Sequence, residues 1–251
     1  MTSQAPVYST ARYSTVRFRH CNVRSVKPKS AQVKQFCSEA DIIAFTERWD
    51  DGDMSDNKFA DLRSFNVHRR SRADGYGGVA LVVSSKGMPS YRRQDLEHNV
   101  LELLVVELPS VTVTVAVFYA PPDLISKVVP LLCDHLSAFP QDVVRRLIVA
   151  GDFNCPDVNF EMRTLQGRAL IGLLREMNCK QIVNFPTRND NLLDLVFVPN
   201  SIPVLGSVAI PSPSASCDHV GQQANLYVKV ANFTGLLGQC GNSMMGITHF
   251  S

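Results

Sequence analysis

The sequence predicts an α/β (α+β) fold: two mixed β-sheets packed face to face, with helices outside. Three observations carry this. Strand signals outnumber helix signals, and the few helices are interspersed among them. Neighbouring strand signals pair as hairpins, so much of the sheet is antiparallel. The chain has 251 residues, and that length with that number of strands favours two packed sheets over one doubly wound sheet.

The elements follow in order. Residues 1–13 are polar and are expected to fray. Residues 14–20 alternate, with Val16 and Phe18 between Thr15, Arg17 and Arg19, the period of a strand. Ser30 can cap a helix running to about Ala40, with Val33, Phe36 and Cys37 on its inner face. Asp41–Thr46 is a short apolar run typical of a strand buried on both sides. A polar loop spans Asp50–Asp56. Further strands are expected over Phe65–Arg70, Gly78–Ser84, Leu101–Leu108 and Val111–Tyr119, the last two joined as a hairpin at Pro109-Ser110. Pro121-Pro122 ends that run, and Leu124–Leu136 reads as a helix. Leu147–Ala150 is a buried strand. Thr164–Met177 carries Leu165, Leu170, Leu173 and Leu174 at helical spacing. Leu195–Val198, Val204–Ile210 and Ala224–Val230 close the strand series. Residues 231–251, rich in Gly, Ser and Asn, are expected to be a flexible tail, which leaves 14–230 as the folded domain.

Composition sets the class. Apolar residues make up 45% and charged residues 19%, which is globular rather than disordered. The net charge of +2 is too small to declare a nucleic-acid binder, but its distribution is uneven. Residues 1–40 hold seven Lys/Arg against Glu39 alone, and residues 41–60 hold six acids against Arg48 and Lys58. A polyanion-facing edge beside a cation-binding centre would look like this, and so would a solvated surface. The seven cysteines are odd in number, widely spaced and free of any C-x-x-C, so neither a disulfide framework nor a zinc site is expected. Reduced thiols fit an intracellular protein, nuclear when acting. No apolar run reaches the roughly 20 residues of a membrane helix, and no signal peptide is apparent.

Chemistry concentrates at strand ends. Gly151-Asp152-Phe153-Asn154 follows the buried strand Leu147–Ala150. Phosphodiester hydrolysis needs a group to orient or deprotonate water, and donors or cations on the phosphate oxygens. Asp152 can meet the first need and Asn154 the second; a strand followed by an Asx turn would read the same way. Cys217-Asp218-His219 sets an acid beside an imidazole, which can combine cation or water binding with a proton-bearing donor. Glu47, after the strand Asp41–Thr46, suits a hard cation such as Mg²⁺. Asn22 ends the first strand. Tyr119 ends Val111–Tyr119 and can either hydrogen-bond phosphate or simply pack. Asp194 is an acid inside the apolar run Leu192–Val198, costly unless paired, and a His partner would hold one tautomer and favour the charged imidazole.

Taken in order, Asn22, Glu47, Tyr119, Asp152 with Asn154, Asp194 and Asp218-His219 resemble the endonuclease/exonuclease/phosphatase superfamily, which includes DNase I and the apurinic/apyrimidinic endonucleases. The resemblance spans roughly residues 16–230. Each motif is weak alone; the ordered set is specific. Within that superfamily, several words are similar to endonuclease domains of LINE-type non-LTR retrotransposons. They are Asn22-Val23-Arg24-Ser25 with Lys29, Asp41-Ile42-Ile43 leading to Thr46-Glu47-Arg48-Trp49, and Gly77-Gly78-Val79-Ala80. Tyr119-Ala120-Pro121-Pro122, Phe185-Pro186-Thr187-Arg188 and Leu193-Asp194-Leu195-Val196-Phe197 complete them.

The resemblance implies a four-layer, DNase I-like sandwich with its site at one edge of the two sheets. Glu47, assisted by Asn22, would bind Mg²⁺ or Mn²⁺, with Asp218 close to metal and nucleophile. Asp152 would orient or activate water, Asn154 and His219 would contact the scissile phosphate, and Asp194 would orient His219. Tyr119 would support the phosphate or leaving group; Thr187 is a weaker carry-over as a phosphate contact. The expected partner is DNA, nicked to leave a 3′-hydroxyl that primes reverse transcription; a full-length element would also carry a reverse transcriptase domain. Arg17–Lys34 and Arg69, Arg70 and Arg72 are candidate phosphate contacts. Two positions depart from the family pattern: Arg48 where Thr is frequent, and Cys217 where Ser is usual, a weaker donor. Two alternatives stand beside this reading, another phosphatase or phosphodiesterase of the superfamily and a decayed copy that binds DNA or protein without cutting.

Overall fold

A computed structural model describes residues 11–49, 54–72, 75–155 and 165–231. The remaining parts of the expected N-terminal fray, the polar loop after Asp50 and the tail from 232 onward lie outside the described residues. The elements in chain order are β1 (Arg12–Asn22), α1 (Ser30–Ser38), β2 (Ile42–Thr46), β3 (Phe65–Arg70), β4 (Val79–Ser84), β5 (Tyr91–Arg92), β6 (Glu102–Leu108) and β7 (Val113–Tyr119). Then come α2 (Ile125–Ser137), α3 (Gln141–Val144), β8 (Leu147–Asp152), α4 (Leu165–Glu176), β9 (Cys179–Gln181), β10 (Asp194–Pro199), β11 (Val204–Ile210) and β12 (Gly221–Val230).

The strands form two six-stranded mixed sheets, ordered β11-β12-β1-β2-β4-β3 and β5-β6-β7-β8-β10-β9. Each holds one parallel pair at its centre, β1 with β2 and β7 with β8; every other pairing is antiparallel. The sheets stack, with β1, β2 and β4 against β6, β7 and β8.

Side-chain alternation sorts the layers. On β2, Ile42 and Ala44 join the core between the sheets, while Ile43 and Phe45 join a separate cluster with Val33, Phe36 and Cys37 of α1. On β4, Val79, Leu81 and Val83 point inward and Ala80 and Val82 outward in the same way. A period of two on a strand buried on both faces does this, and it is why these strands read as continuous apolar runs. Helices α2 and α4 pack on each other and on the second sheet through Val129, Leu132, Leu136, Leu170 and Leu173. The result is helix, sheet, sheet, helix: the DNase I-like sandwich that the resemblance implied.

Several expectations are corrected. The first strand begins at Arg12, not 14, because Arg12 and Tyr13 pair with Val230 and Lys229 at the far end of β12. Ser30 does not cap α1. The Lys27–Lys29 3-10 turn runs straight into the helix, Lys29 occupies the cap position, and the Ser30 hydroxyl donates to the Lys58 carbonyl at 2.7 Å. A 3-10 turn over Pro109–Val111 and left-handed Thr112 (φ 47°) delay β7 to Val113. The short elements β5, β9 and α3 were absent from the sequence reading.

The basic stretch is largely committed to internal pairs. Arg19 bonds Gln223, the Phe36 carbonyl and Glu39, at 2.8–2.9 Å. Lys29 is buried, its ammonium donating to the carbonyls of Val23 (2.7 Å) and Arg24 (3.1 Å). Arg69 pairs with Asp56 at 2.7 Å, Arg70 with Glu97 at 3.5 Å and Arg72 with Glu102 at 3.2 Å. These cations therefore brace loops and sheet edges, and the positive charge nearest the strand ends belongs to Arg24 and Arg188.

Candidate active site

The two central parallel pairs end side by side. In the first sheet Asn22 is level with Thr46, so Glu47 is the next residue out. In the second sheet Tyr119 is level with Asp152, and Asp194 of β10 lies directly across from Asp152. Asn22, Glu47, Tyr119, Asp152 and Asp194, far apart in sequence, thereby meet at one edge of the sandwich.

Contacts join them in a chain. The Asn22 amide donates to Glu47 Oε1 at 2.8 Å and to Asp152 Oδ2 at 2.9 Å, which bridges the two sheets. Asp152 Oδ1 accepts the Asn154 amide N–H at 3.0 Å, and the Asn154 side chain donates to the Ala120 carbonyl at 2.9 Å. Asp152 Oδ2 lies 3.9 Å from His219 Nε2, and His219 Nδ1 is 2.6 Å from Asp194 Oδ2. Tyr119 is hydrogen-bonded to Glu47. The second Glu47 oxygen accepts the Trp49 indole N–H at 3.2 Å.

The local sequence makes this geometry possible. Gly151 is required because a Cβ there would lie 1.8 Å from the Phe118 carbonyl oxygen on the neighbouring strand. Arg24, Ser25, Glu47, Trp49 and Asn154 all have positive φ, between 39° and 77°. This conformation is unfavourable for non-glycine residues and tends to accumulate at functional sites, held there by surrounding structure. Here the holding bonds are Val23 to Thr46, Ser25 to Glu47 and Trp49 to Gly77, at 2.8–3.0 Å, which continue the ladders past the sheet end.

Electrostatics follow from burial. Asp152 is fully buried, and burial together with the charge of Asp194 pushes its pKa well above the usual carboxylate range, against His219, Asn22 and the Asn154 amide. Burial acts to lower the His219 pKa, but the bond to and charge of Asp194, with Asp152 and Asp218 behind it, reverse this and favour the imidazolium. Burial, then the charges of Glu47 and Asp152, push the Tyr119 phenol up, so it stays a neutral hydroxyl.

Two expected residues stand elsewhere. Asp218 is not among the group Asp152, Asp194 and His219, whose ligand atoms all lie within 4.8 Å of one another. It pairs with Arg188 at 2.7 Å and lies 4.0 Å from Arg24, its side chain partly exposed. Thr187 is buried with its hydroxyl oxygen accepting the Leu193 (3.0 Å) and Asp194 (3.1 Å) amides, so it fixes the entry to β10. The two departures from the family pattern also point away from the centre. Arg48 is buried under Gly78 and bonds the Ser71 hydroxyl. The Cys217 thiol lies 3.5 Å from both Lys29 Nζ and the Val23 carbonyl oxygen.

One neighbour was missed in the sequence. His20 is fully buried, 3.7 Å from Asp194 Oδ1, and burial lowers its pKa to about 4, so it is a neutral imidazole beside the cluster. The alternation Val16, Phe18, His20, Asn22 was the available signal, since it puts all four on the face between the sheets.

The carboxylates of Glu47 and Asp152 offer oxygen ligands of the kind Mg²⁺ or Mn²⁺ takes. The Asn22 side-chain nitrogen lies between them and donates to both, while its carbonyl oxygen accepts the Arg24 amide at 3.1 Å. Among the described residues, the acidic and histidine groups close enough to share one ion are Asp152, Asp194 and His219, all buried.

Residues 18–221 match the Endonuclease/Exonuclease/phosphatase family, and the chain belongs to it. Its members are hydrolytic enzymes that depend on divalent metals. No curated protein matches. Among solved structures, the endonuclease domain of TRAS1, a telomere-specific non-LTR retrotransposon, is 18% identical with a TM-score of 0.66, over 85% of this chain and 98% of that one. An AP endonuclease from Archaeoglobus fulgidus is 15% identical with a TM-score of 0.65, over 83% and 98%. The 3′ phosphatase NExo from Neisseria, bound to a product DNA hairpin, is 14% identical with a TM-score of 0.61, over 83% and 98%. At these identities the likeness is one of fold. Among the described residues no helix is long and apolar enough to cross a membrane.

Proposed function

We propose that this chain is a divalent-metal-dependent endonuclease that nicks DNA and leaves a 3′-hydroxyl, as a retrotransposon endonuclease domain would. The observation that carries it is the series of close contacts Asp194, His219, Asp152, Asn22, Glu47, which runs across both sheets at one edge of the sandwich. The similar structures, a retrotransposon endonuclease domain and an AP endonuclease, favour DNA as the substrate.

In this reading each residue has a task. Glu47, with help from Asn22, would hold a divalent cation, which would supply Lewis-acid neutralisation of the phosphate. Asp152 orients the attacking water and takes its proton. His219, kept charged and fixed in orientation by Asp194, donates to a phosphate oxygen where negative charge grows. Asn154 has a second amide N–H for the same phosphate, its first being used on Ala120. Tyr119 keeps its hydroxyl proton at neutral pH and hydrogen-bonds Glu47 with it, which positions that carboxylate beside the phosphate. Asp218 with Arg188 and Arg24 forms a charged rim that would position the backbone of the DNA.

The test is supercoiled plasmid incubated with the purified chain in Mg²⁺ and in EDTA, beside an Asp152→Ala/His219→Ala double variant. Open circles formed only by the wild type in Mg²⁺ are expected, together with DNA affinity that falls steeply with salt. DNA binding without any nicking would overturn the enzymatic reading in favour of a non-cutting binding module. Cleavage of a small phosphomonoester with no action on DNA would move the assignment to another branch of the family.

A further inference from the structure

We propose that Trp49 and Tyr76 form a stacking platform for an unpaired DNA base next to the scissile phosphate, a subsite that rests on the DNA-nicking reading above. The two rings meet edge to face, with centroids 5.7 Å apart at 73°. In such a contact one ring presents its edge to the face of the other. Tyr76 is 64% exposed, a large aromatic surface turned to solvent beside a buried polar centre. Trp49 is half-buried and tied to the cation side of that centre through its indole N–H on Glu47 Oε2 at 3.2 Å.

The platform is built into the fold. Trp49 has φ 44°, and its amide is bonded to the Gly77 carbonyl at 3.0 Å, so the two ring-bearing loops are clamped together. Gly77 and Gly78, both at φ 79°, supply the turn that presents Tyr76. In the same loop, a side chain at Gly78 would lie 3.0 Å from Arg48 Nε and 3.1 Å from the Arg70 carbonyl. Buried Arg48 is thus the floor of this turn.

Charge completes the case for a nucleotide. The Arg24 guanidinium lies 5.7 Å from the Trp49 ring centroid, within cation–π range, and its side chain is 51% exposed. Arg188 is 41% exposed across Asp218. Aromatic faces interleaved with arginines are the chemistry of single-stranded nucleic acid: rings take bases and guanidinium groups take phosphates. A fully paired duplex hides its base faces, so the occupant is a base in single-stranded or locally opened DNA.

Trp49 is the single tryptophan of the chain, so its fluorescence reports on the platform independently of cleavage. On the Asp152→Ala chain with Mg²⁺, an oligonucleotide with one unpaired base, and single-stranded DNA, should quench Trp49 saturably, while a flush duplex of the same sequence should quench it little. Tyr76→Ser should weaken single-stranded affinity about 5- to 150-fold, Tyr76→Phe should retain it, and Tyr91→Ser, equally exposed on β5, should leave it unchanged. Circular dichroism and the urea midpoint check that each variant folds. Equal quenching by flush and unpaired DNA, or unaltered affinity in folded Tyr76→Ser, overturns the platform while plasmid nicking stands. Absence of both nicking and DNA binding in the wild type would overturn the DNA reading itself.

Discussion

The two sheets share one plan and put different chemistry on it. Read from β11 and from β5, both run antiparallel, antiparallel, parallel, antiparallel, antiparallel. Asn22 in the first sheet and Tyr119 in the second end equivalent strands, as do Thr46 and Asp152. The next strand across carries Val79 in the first sheet and Asp194 in the second. The second sheet therefore holds two facing acids beside an imidazole, and the first holds one carboxylate beyond its edge, Glu47, braced by Asn22 and Trp49 and proposed above as the cation ligand. Division of labour follows from which residue sits at each matched strand end, and Asn22 and His219 both bond across the halves.

The sharpest way to test that division is to damage each half separately. Asp152→Asn keeps the shape of the side chain and removes the base, so nicking should fall about 10²- to 10⁴-fold. Added Mg²⁺ should not restore it. Glu47→Gln should cost about a hundredfold at low Mg²⁺, through loss of charge on the cation side, and should recover in part as Mg²⁺ is raised. Rates from plasmid nicking across a Mg²⁺ titration read both. If the two variants respond alike to metal, the assignment of cation to the first sheet and water to the second is wrong.

Asp194→Asn addresses the second sheet alone. It leaves His219 bonded but removes the charge that favours the imidazolium, and a loss of about 10- to 100-fold is expected, as for other groups that orient a working histidine. Single-turnover rates at saturating DNA would show the loss in the chemical step, with DNA affinity little altered. An unchanged rate would mean that His219 needs no partner.

The pattern of what sequence could and could not reveal follows the same comparison. The inner strands of both sheets are apolar on both faces, so Asp41–Thr46 and Leu147–Ala150 announce themselves, and so do the polar residues that end them. Two-residue β5 and three-residue β9 carry too little pattern to register. Ser30 misled because propensity for a cap is local, whereas the 3-10 turn before it is held by the buried Lys29 ammonium. Thr187 and Asp218 belong to legible motifs, but which way a loop side chain points depends on partners far away in sequence, such as Leu193 and Arg188. His20 was not singled out, although it continues the inward face of Val16 and Phe18.

Matched strands also differ in what they tolerate. Phe45, opposite Cys21 in the first sheet, fills the cluster beneath α1. Its counterpart Gly151, opposite Phe118, has no room for a methyl group. Gly151→Ala should destabilise the fold by about 1–3 kcal/mol through overpacking and displace Asp152, so nicking should fall with the urea midpoint. A fold of unchanged stability would show that β7 can move aside, and that the close approach of the two strands is not required.

The smallest expected effect separates the second sheet's far edge from its active edge. Glu107 of β6 accepts Arg146 at 2.6 Å and Arg93 at 2.9 Å. Burial opposes its ionisation, but the bonds and charges of Arg146 and Arg93 outweigh that and hold its pKa below the ordinary 4.5. A carboxyl that binds protons less readily when folded adds stability that is complete above its unfolded pKa and disappears as pH falls through the folded one. The group is partly solvated, so screening keeps the contribution to about 0.5–1 kcal/mol. Urea midpoints of wild type and Glu107→Gln should therefore differ slightly at pH 7 and converge below about pH 4, with nicking at pH 7 unaffected. A difference that persists in acid would assign the loss to packing around the two arginines and not to the charge of Glu107.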